Sequence, residues 1–247
     1  MSTTPQIVCI DSCDSTSSRL IAEAASLPHG YVLAAREQTG GRGQRGNSWE
    51  ATPGQNLTFS MLLRPAHIPA RRAFELSMVV AVALADALEN YLPDTQVQLK
   101  WPNDIYVGDR KLGGILIENA FRGQAIERMI VGVGINVNQS RFVSDAPNPV
   151  SLTQLTGRTY DLERMLTDVS SAILRAVDCY DATPEPDVIE RGYHARLWRR
   201  EGVHRWRVTD TGEIIEAPIW HVELSGHLCL ATEPPRRFAF KEIAAIL

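Results

Sequence analysis

Lysine is the rare basic residue of this chain, and two of its three lysines lie close together in the sequence. The 247 residues include 22 arginines but only three lysines. Lys100 and Lys111 bracket Trp101-Pro102-Asn103-Asp104, and Lys111 directly precedes Leu112-Gly113-Gly114. A lysine ammonium is a compact donor that fits around a single oxygen, whereas arginine presents a wide, planar fork. The pattern predicts one site in which both lysines bind carboxylate or phosphate oxygens.

A glycine-rich loop supplies further cations. Gly41-Arg42-Gly43-Gln44-Arg45-Gly46 has the spacing of a dinucleotide fingerprint, G-x-G-x-x-G. That fingerprint requires a helix directly after the glycines, and here a loop with a proline follows. The lysine and serine or threonine of a Walker A loop are missing as well. We interpret the segment as a loop that closes over a ligand, in which Arg42 and Arg45 bind anionic groups and Trp49 stacks on a base.

An alternating segment is the third candidate part of the site. From Val131 onward, aliphatic residues alternate with Gly132, Gly134, Asn136 and Asn138. In a strand, this alternation puts the aliphatic side chains on one face and the glycines and asparagines on the other. Glycine weakens a strand unless something approaches its backbone closely. The glycine face therefore predicts contact with a planar ring or, alternatively, with a packed helix.

Strands and helices must position these parts. Strands are predicted over residues 7–10, 31–35, 57–63, 97–100, 105–107, 112–118 and 126–138. Helices are predicted after the capping residues 14–18, over 71–92 and 162–180, and up to about residue 198. From Gly202 onward, five short alternating segments predict a small barrel-like domain.

Composition and charge exclude several classes of protein. A hydrophobic content of 44% and a charged content of 22% are typical of a soluble globular enzyme. A net charge of −4 gives no broad attraction to nucleic acid or to anionic membranes, so neither is expected as a partner. The apolar stretch 76–88 is too short to span a bilayer, and the N-terminus has no signal-peptide pattern. The four cysteines form no C-x-x-C pair, which favours inert thiols in a reducing cytoplasm.

Taken together, the motifs resemble the biotin protein ligase family, the biotin–[acetyl-CoA-carboxylase] ligases. The matching motifs are Asp14-Ser15-Thr16, Gln38-x-x-Gly41-Arg42-Gly43, Arg45-Gly46, Trp49, Lys100-Trp101-Pro102-Asn103-Asp104, Lys111-Leu112-x-Gly114-Ile115-Leu116-x-Glu118 and Gly132 to Asn138. The resemblance implies an α+β fold, in which a mixed sheet packed with helices, as in class II synthetases, binds biotin and ATP within residues 1–198. Residues 199–247 are expected to form a small C-terminal SH3-like β-barrel.

The resemblance implies a two-step reaction. Biotin and ATP, with Mg²⁺, give biotinyl-5′-AMP and pyrophosphate, and a lysine of a biotin carboxyl carrier protein then takes the biotinyl group. A cytoplasmic enzyme is expected, and a homodimer is compatible with the family because its members often pair through sheet edges. No helix-turn-helix module precedes residue 7, so the repressor activity of some relatives is not expected.

The site residues carry over motif by motif. For biotin binding, the resemblance implies Ser15, Thr16, Ser17, Gln38, Gly41, Arg42, Gly43, Gln44, Lys111 and Gly114. For ATP binding, it implies Arg45, Asn47, Trp49, Lys100, Asn103 and Asn136. The catalytic residues are expected to be Lys111, Arg42, Lys100 and Asp104, the cations because they cancel the repulsion between a carboxylate and a polyanion. Asp104 either binds metal or orients and deprotonates the incoming amine, and the metal ligands stay open.

Three departures from the family pattern bear on these expectations. Ser17 stands where the family usually has asparagine, while Gln44 and Asn47 replace common arginines. The loop has therefore lost positive charge, and we expect it to retain the adenylate less firmly.

Two other functions compete with biotin ligation. One is a lipoate or octanoate transferase of related fold, which requires a pocket for an acyl chain and, for the octanoyl type, a cysteine nucleophile. The other is a non-enzymatic protein that binds biotinyl-AMP, which the altered loop favours.

Overall fold

The chain folds around a seven-stranded sheet in the computed structural model, which describes residues 4–44, 48–143 and 148–246. The strands are β1 (Gln6–Cys13), β2 (Tyr31–Gln38), β3 (Leu57–Leu63), β4 (Gln98–Lys100), β5 (Asp104–Val107), β6 (Arg110–Arg122) and β7 (Ala125–Ile135). Their order is β1-β2-β3-β7-β6-β5-β4, and only β1 and β2, among these described strands, run parallel. The long β6–β7 hairpin therefore lies inside the sheet, with a partner strand on each side.

Helices cover both faces of this sheet. They are α1 (Thr16–Glu23), α2 (Ala73–Glu89), α3 (Leu152–Thr156), α4 (Leu162–Ala182) and α5 (Pro186–Ala195). Alternate residues of the strands face opposite ways: Leu62 and Ile130 pack with α1, whereas Met61 and Val131 belong to the core that α2 and α4 share. All seven residues of β3 are buried for this reason. Among the described helices, none combines the length and apolar character that a membrane crossing requires.

Polar side chains set where several helices begin. Ser15 caps α1, accepting a hydrogen bond from the Ser18 amide at 3.4 Å, and Asp161 caps α4 in the same way. Ser151 and Gln154 form a capping box at the start of α3, which ends at Gly157 with φ of 72°. Helix α3 was not predicted from the sequence, although its capping residues Ser151 and Gln154 are a recognisable signal.

The C-terminal part forms two further sheets. Its strands are β8 (His204–Val208), β9 (Ile214–Ala217), β10 (Ile219–Val222), β11 (Leu228–Leu230), β12 (Arg236–Phe238) and β13 (Ile243–Ala245). In the described residues they pair as β13-β8-β9 and β10-β11-β12. The sequence predicted five of these strands and missed β13. Trp206 and Leu230 join the same apolar core as the large sheet, so a domain boundary between 198 and 199 stays a prediction.

One predicted strand is shorter than expected. The alternating segment 126–138 was predicted to be extended throughout, but β7 ends at Ile135. Beyond this point the backbone bonds to other parts of the chain: the Val137 amide donates to the Asn56 side chain at 3.0 Å, and the Asn138 amide donates to the Gln55 carbonyl at 2.7 Å. The two asparagines therefore lie outside the strand whose glycine face they were predicted to extend.

Candidate active site

A cavity of about 800 Å³ lies against the β6–β7 hairpin and extends to the C-terminal sheets. The predicted site residues that line it are Ser15, Thr16, Ser17, Gln38, Arg42, Gly43, Gln44, Trp49, Lys100, Asn103, Asp104, Lys111 and Gly114. The cross-strand register explains why glycines form its floor. Ser60 of β3 lies opposite Gly132 of β7, and Gly134 lies between Thr58 and Gly114 on the same face.

Lys111 and Asp104 meet on one wall of the cavity. They come from the adjacent strands β6 and β5, and the Lys111 Nζ lies 2.7 Å from Asp104 Oδ1. Both side chains are largely buried, with 25% and 20% of their surface exposed. Among the described residues that line the cavity, Asp104 is the one carboxylate. This wall therefore presents an ammonium whose charge is balanced until an anionic ligand arrives.

Lys100 stands beside this pair in an aromatic cage. It lies opposite Asp104 in the β4–β5 ladder, and its ammonium donates to the Tyr106 hydroxyl at 2.9 Å. The same Nζ lies 5.0 Å from the ring centroid of Trp198. Burial lowers the pKa of Lys100 below its usual value; Asp104 opposes this shift, and the charge of Lys111 adds to it. Burial likewise raises the pKa of the Tyr106 hydroxyl, which therefore stays protonated.

Neutral polar side chains form the other end of the cavity. The backbone amide and the hydroxyl of Thr16 donate to Gln38 Oε1 at 2.7 and 3.0 Å. The Ser60 hydroxyl lies 2.8 Å from that of Thr16 and 2.9 Å from that of Ser17. Ser15, Thr16, Ser17 and Ser60 are all buried, so this network is fixed by its mutual hydrogen bonds. It offers donors and acceptors to an uncharged polar ligand.

Ser60 was not among the residues predicted for the site, although the sequence of β3 carries a signal for it. Thr58 and Ser60 are two polar residues at alternate positions of the otherwise apolar β3. In a fully buried strand, such a pair marks a face that meets other polar groups. Tyr106, Trp198 and the β13 residues Ile243 to Ala245 also line the cavity and were missed. For these, no local pattern indicates the site.

The Trp49 ring lies directly on the glycine face of β7. A Cβ built at Gly134 would lie 2.5 Å from Trp49 Cε2, and one built at Gly132 would lie 2.7 Å from Ser17 Oγ. Gly134 thus meets a planar ring and Gly132 meets helix α1, and contact of this face with the ring of a ligand stays a prediction. This planar ring is the indole of Trp49 and not the ring of a ligand. Its Nε1 is buried without a hydrogen-bond partner among the described residues.

Arg42 is tied to the sheet by an ion pair. Its Nη2 donates to Glu118 Oε1 at 2.7 Å, and its Nη1 donates to the Ser18 hydroxyl at 3.2 Å. The Arg42 side chain is 42% exposed, and water screens such pairs effectively. The other oxygen of Glu118 is buried with no partner in the described structure. The guanidinium therefore lines the cavity while it is paired with Glu118.

Two described residues of the predicted site do not line the cavity, and two others lie outside the described residues. Asn136 is buried, and its side-chain amide donates to the carbonyls of Val150 at 3.2 Å and Lys111 at 3.5 Å. It holds the backbone that carries Lys111, and direct contact with ATP stays a prediction. Gly41 packs against the backbone of Trp49, with no room for a side chain. Arg45 and Asn47 lie outside the described residues.

The cavity also suits a hard divalent cation that arrives with phosphate. Mg²⁺ keeps several waters and takes one or two carboxylates together with phosphate oxygens. Asp104 offers one such carboxylate, since Oδ1 contacts Lys111 and Oδ2 is left for a metal. The residues present therefore fit Mg²⁺ carried by a phosphorylated ligand.

Comparison with known proteins identifies the family to which this chain is similar. Residues 10–136 match the Biotin/lipoate A/B protein ligase family. The Bifunctional ligase/repressor BirA of Salmonella typhimurium is 34% identical over 169 residues, which cover 68% of this chain and 52% of that protein. The Biotin–[acetyl-CoA-carboxylase] ligase of Paracoccus denitrificans is 34% identical over 179 residues, 69% of this chain and 74% of that protein. The chain thus spans about half the length of the Salmonella relative.

A solved structure shows the same fold. The biotin protein ligase from Aquifex aeolicus, in complex with biotin and ATP, superposes with a TM-score of 0.81 at 24% sequence identity. The match covers 98% of each chain, including the C-terminal sheets. The predicted fold class, a mixed sheet packed with helices plus a small SH3-like C-terminal part, is confirmed.

Proposed function

The chain belongs to the biotin/lipoate A/B protein ligase family, and from this we propose that it is a biotin ligase. It activates biotin with ATP as biotinyl-5′-AMP and transfers the biotinyl group to a lysine of a biotin carboxyl carrier protein. The names of its relatives support biotin and ATP as substrates. Its location in the cytoplasm, its assembly as a homodimer and the identity of the acceptor carboxylase stay predictions.

One observation carries the proposal: a single cavity joins a neutral polar end to a cationic wall. Biotin has an uncharged ureido ring, an apolar arm and a terminal carboxylate. Thr16, Ser17 and Gln38 offer hydrogen bonds to the ureido ring. Leu116 suits the arm, and Lys111 suits the carboxylate. A ligand with polar groups at one end alone would leave the other end unmatched.

The first step requires positive charge at the reacting oxygens. A biotin carboxylate oxygen attacks the α-phosphorus of ATP; the new oxygen–phosphorus bond forms as the bond to pyrophosphate breaks. Both reactants are anions, so fixed cations must offset their repulsion. Lys111 and Lys100 project from neighbouring strands, and Arg42 comes from the loop. Mg²⁺ bound to the phosphates would add charge neutralisation, with Asp104 as its protein ligand.

The second step requires a base for the incoming amine. The acceptor lysine attacks the acyl carbon, the amide bond forms and AMP leaves with the electrons of the broken carbon–oxygen bond. The attacking amine must lose a proton. Asp104 accepts it in this proposal, because its Oδ2 is free of the contact that Oδ1 makes with Lys111. Metal binding and proton transfer by Asp104 then belong to different steps.

Transfer of labelled biotin tests the proposal. The full chain, ATP, Mg²⁺, labelled biotin and a carrier domain are expected to give labelled carrier. Lys111→Met removes a positioned cation and is expected to slow pyrophosphate exchange by about 100-fold or more, the scale for loss of one preorganised donor. Lys241→Met is the matched control, since the third lysine is exposed and does not line the cavity. No transfer to any of several carrier domains would overturn the proposal.

The alternatives make different predictions. A lipoate ligase would be protected against thermal unfolding by lipoate rather than by biotin. A cysteine-dependent octanoyl transferase finds no support, because none of the four cysteines, all of which are described, lines the cavity. A protein that only binds biotinyl-AMP would show thermal protection by the adenylate without biotin-dependent pyrophosphate exchange.

A further inference from the structure

Three side chains with metal-binding atoms meet on one face of the β10–β11 hairpin, away from the cavity. One ligand atom from each of His221, Glu223 and Cys229 lies within 4.8 Å of the other two. His221 and Cys229 are partners across the antiparallel ladder. Glu223 follows His221 by two residues, so its side chain projects from the same face. The three groups are thus brought together by strand register rather than by a flexible loop.

Neighbouring side chains orient the Glu223 carboxylate. Its Oε2 accepts hydrogen bonds from the Ser225 hydroxyl at 2.6 Å and from Arg237 Nε at 3.0 Å. Its Oε1 faces the Cys229 sulfur at 3.5 Å. Outer partners of this kind fix the direction of a metal ligand. Here they occupy one oxygen and leave the other pointing at the buried thiol.

The His221 ring is held in place with its nitrogens available. It makes edge contacts with Trp220, at 4.5 Å between ring centroids, and with His194. Its ring nitrogens have no hydrogen-bond partner among the described residues. His194 differs, because its Nε2 is occupied by the backbone of Val222. Of these two histidines, only His221 is placed to bind a metal without breaking a contact to the fold.

We propose that His221, Glu223 and Cys229 bind a zinc ion, with water in the fourth position. Imidazole nitrogen, thiolate and carboxylate are the three ligand types that zinc accepts in tetrahedral sites. Binding exchanges the thiol proton for the metal: the sulfur–hydrogen bond breaks, a sulfur–zinc bond forms and the proton goes to water. Arg237 repels the ion, but it contacts Glu223 Oε2 rather than the Oε1 that faces the sulfur. His227 Nδ1 lies 3.9 Å from the same Oε2.

The zinc ion would lock the hairpin that contacts the active-site wall. The turn between β10 and β11 carries Gly226, whose carbonyl accepts a hydrogen bond from Trp101 Nε1 at 3.0 Å. Trp101 is next to Lys100 in the chain. A metal that ties one hairpin strand to the other would therefore stabilise the surface on which this part of the active site rests.

Cobalt titration of the full chain tests the proposal. After chelator treatment, Co²⁺ is expected to bind at one ion per chain with a near-ultraviolet thiolate-to-cobalt charge-transfer band, and stoichiometric Zn²⁺ should displace it. Cys229→Ser is expected to abolish the band, and His221→Gln to weaken binding by at least about tenfold. Cys9→Ser and Cys179→Ser are matched controls, since both thiols are exposed elsewhere, and they should retain the wild-type spectrum.

Several results would overturn it. One is cobalt that binds without a charge-transfer band in the folded wild-type chain. Another is a band that survives in Cys229→Ser. If Cys229→Ser does not fold, His221→Gln decides alone, because it leaves the buried thiol intact; unchanged affinity in that variant rejects the site. Biotin transfer is not the readout, so the outcome is independent of the proposed ligase activity.

Discussion

The buried ammonium of Lys100 serves ligand binding in the proposed reaction but lowers the stability of the folded chain. Its ammonium is buried beside Lys111, and burial lowers its pKa. Holding this charge inside the folded chain therefore costs free energy at neutral pH. We expect Lys100→Met, which keeps the length of the side chain, to raise the free energy of unfolding at pH 7 in the absence of ligand. Urea unfolding of both proteins measures the difference.

The sign of the pH dependence follows from the direction of that shift. Between the lowered pKa in the folded chain and the ordinary value of 10.5, the unfolded chain binds more protons, so wild-type stability gains with rising pH. The difference in free energy of unfolding between Lys100→Met and the wild type should therefore be largest below the lowered pKa and vanish above about pH 10.5. A variant that is less stable than the wild type at pH 7 would show that the contacts to Tyr106 and Trp198 outweigh the burial of charge.

Ser60 organises the neutral polar end of the cavity. Its hydroxyl contacts those of Thr16 and Ser17 and is completely buried. We expect Ser60→Ala to lower the free energy of unfolding by about 1–2 kcal/mol, because two buried hydroxyls lose a partner. Biotin affinity should fall as well, since those hydroxyls lose their fixed orientation. Calorimetric titration measures this, and Ser170→Ala, a buried serine of α4, is the control that should leave biotin affinity unchanged.

The sequence revealed the charged part of the site better than the neutral part. Lys100 and Lys111 could be singled out because lysine is rare in this chain and the two lie close together, whereas Asp104 was expected from the family motif. Ser60 shows only a weaker signal, a polar residue in an otherwise apolar strand, and its role follows from the register of β3 against β7. A side chain that acts through its neighbours becomes recognisable only when the strand pairing is known.

The contact between the glycine floor and the Trp49 loop links two elements. Any side chain at residue 134 must displace the indole, because a Cβ there would lie 2.5 Å from the ring. We expect Gly134→Ala to lower the free energy of unfolding by about 1–3 kcal/mol, the usual cost of overpacking. In a Trp49→Ala background, the same change should cost little, because the obstructing ring is gone. Urea unfolding of the four proteins gives the coupling energy; additive effects would mean that the ring does not rest on the strand.

Element boundaries were predictable where the pattern was long or fully buried. The predicted bounds of β3, 57–63, match the structure because a continuous apolar run between turn residues is typical of a strand covered on both faces. The end of β7 was not predictable, because Asn56, far away in sequence, takes the Val137 amide. The three residues of β13 are too few to show a period at all.

At the scale of the whole molecule, one indole connects the large sheet to the C-terminal part. Trp101 Nε1 donates to the Gly226 carbonyl, and its ring makes an edge contact with Phe240. We expect Trp101→Phe to cost about 0.5–1.5 kcal/mol of stability through the lost hydrogen bond. It should also raise the Michaelis constant for ATP, because the support of the wall beside Lys100 is loosened. Chemical denaturation and steady-state pyrophosphate exchange measure the two effects.

Trp206→Phe is the matched control for this link. Trp206 Nε1 donates to the Ala217 carbonyl, so the same type of bond is lost, but within the C-terminal sheets. Hydrogen exchange should therefore increase throughout β8 and β9 in Trp206→Phe, and mainly around residues 100–104 and 226 in Trp101→Phe. Identical exchange patterns in the two variants would contradict a specific role for the Trp101 contact.

The contribution of the C-terminal part to the wall of the cavity could not be predicted from the sequence. Phe240 and the β13 residues reach the cavity because the C-terminal sheets pack against the large sheet, and Trp198 reaches it because its backbone amide donates to the Leu99 carbonyl of β4. Their positions depend on contacts between segments far apart in the sequence, for which a local pattern gives no signal. The sequence predicted a small C-terminal barrel, but not that it forms part of the wall.

The scarcity of lysine has a consequence for the proposed reaction, because an acyl-adenylate intermediate reacts with amines. Two of the three lysine amines are engaged inside the cavity, by Asp104 and by Tyr106. Lys241 is the remaining one, and its side chain is exposed. Arginine, which carries nearly all the other positive charge, stays protonated and is a poor nucleophile. The described surface thus offers few amines to an escaping acyl group, and acylation of the enzyme's own lysines should concentrate on Lys241.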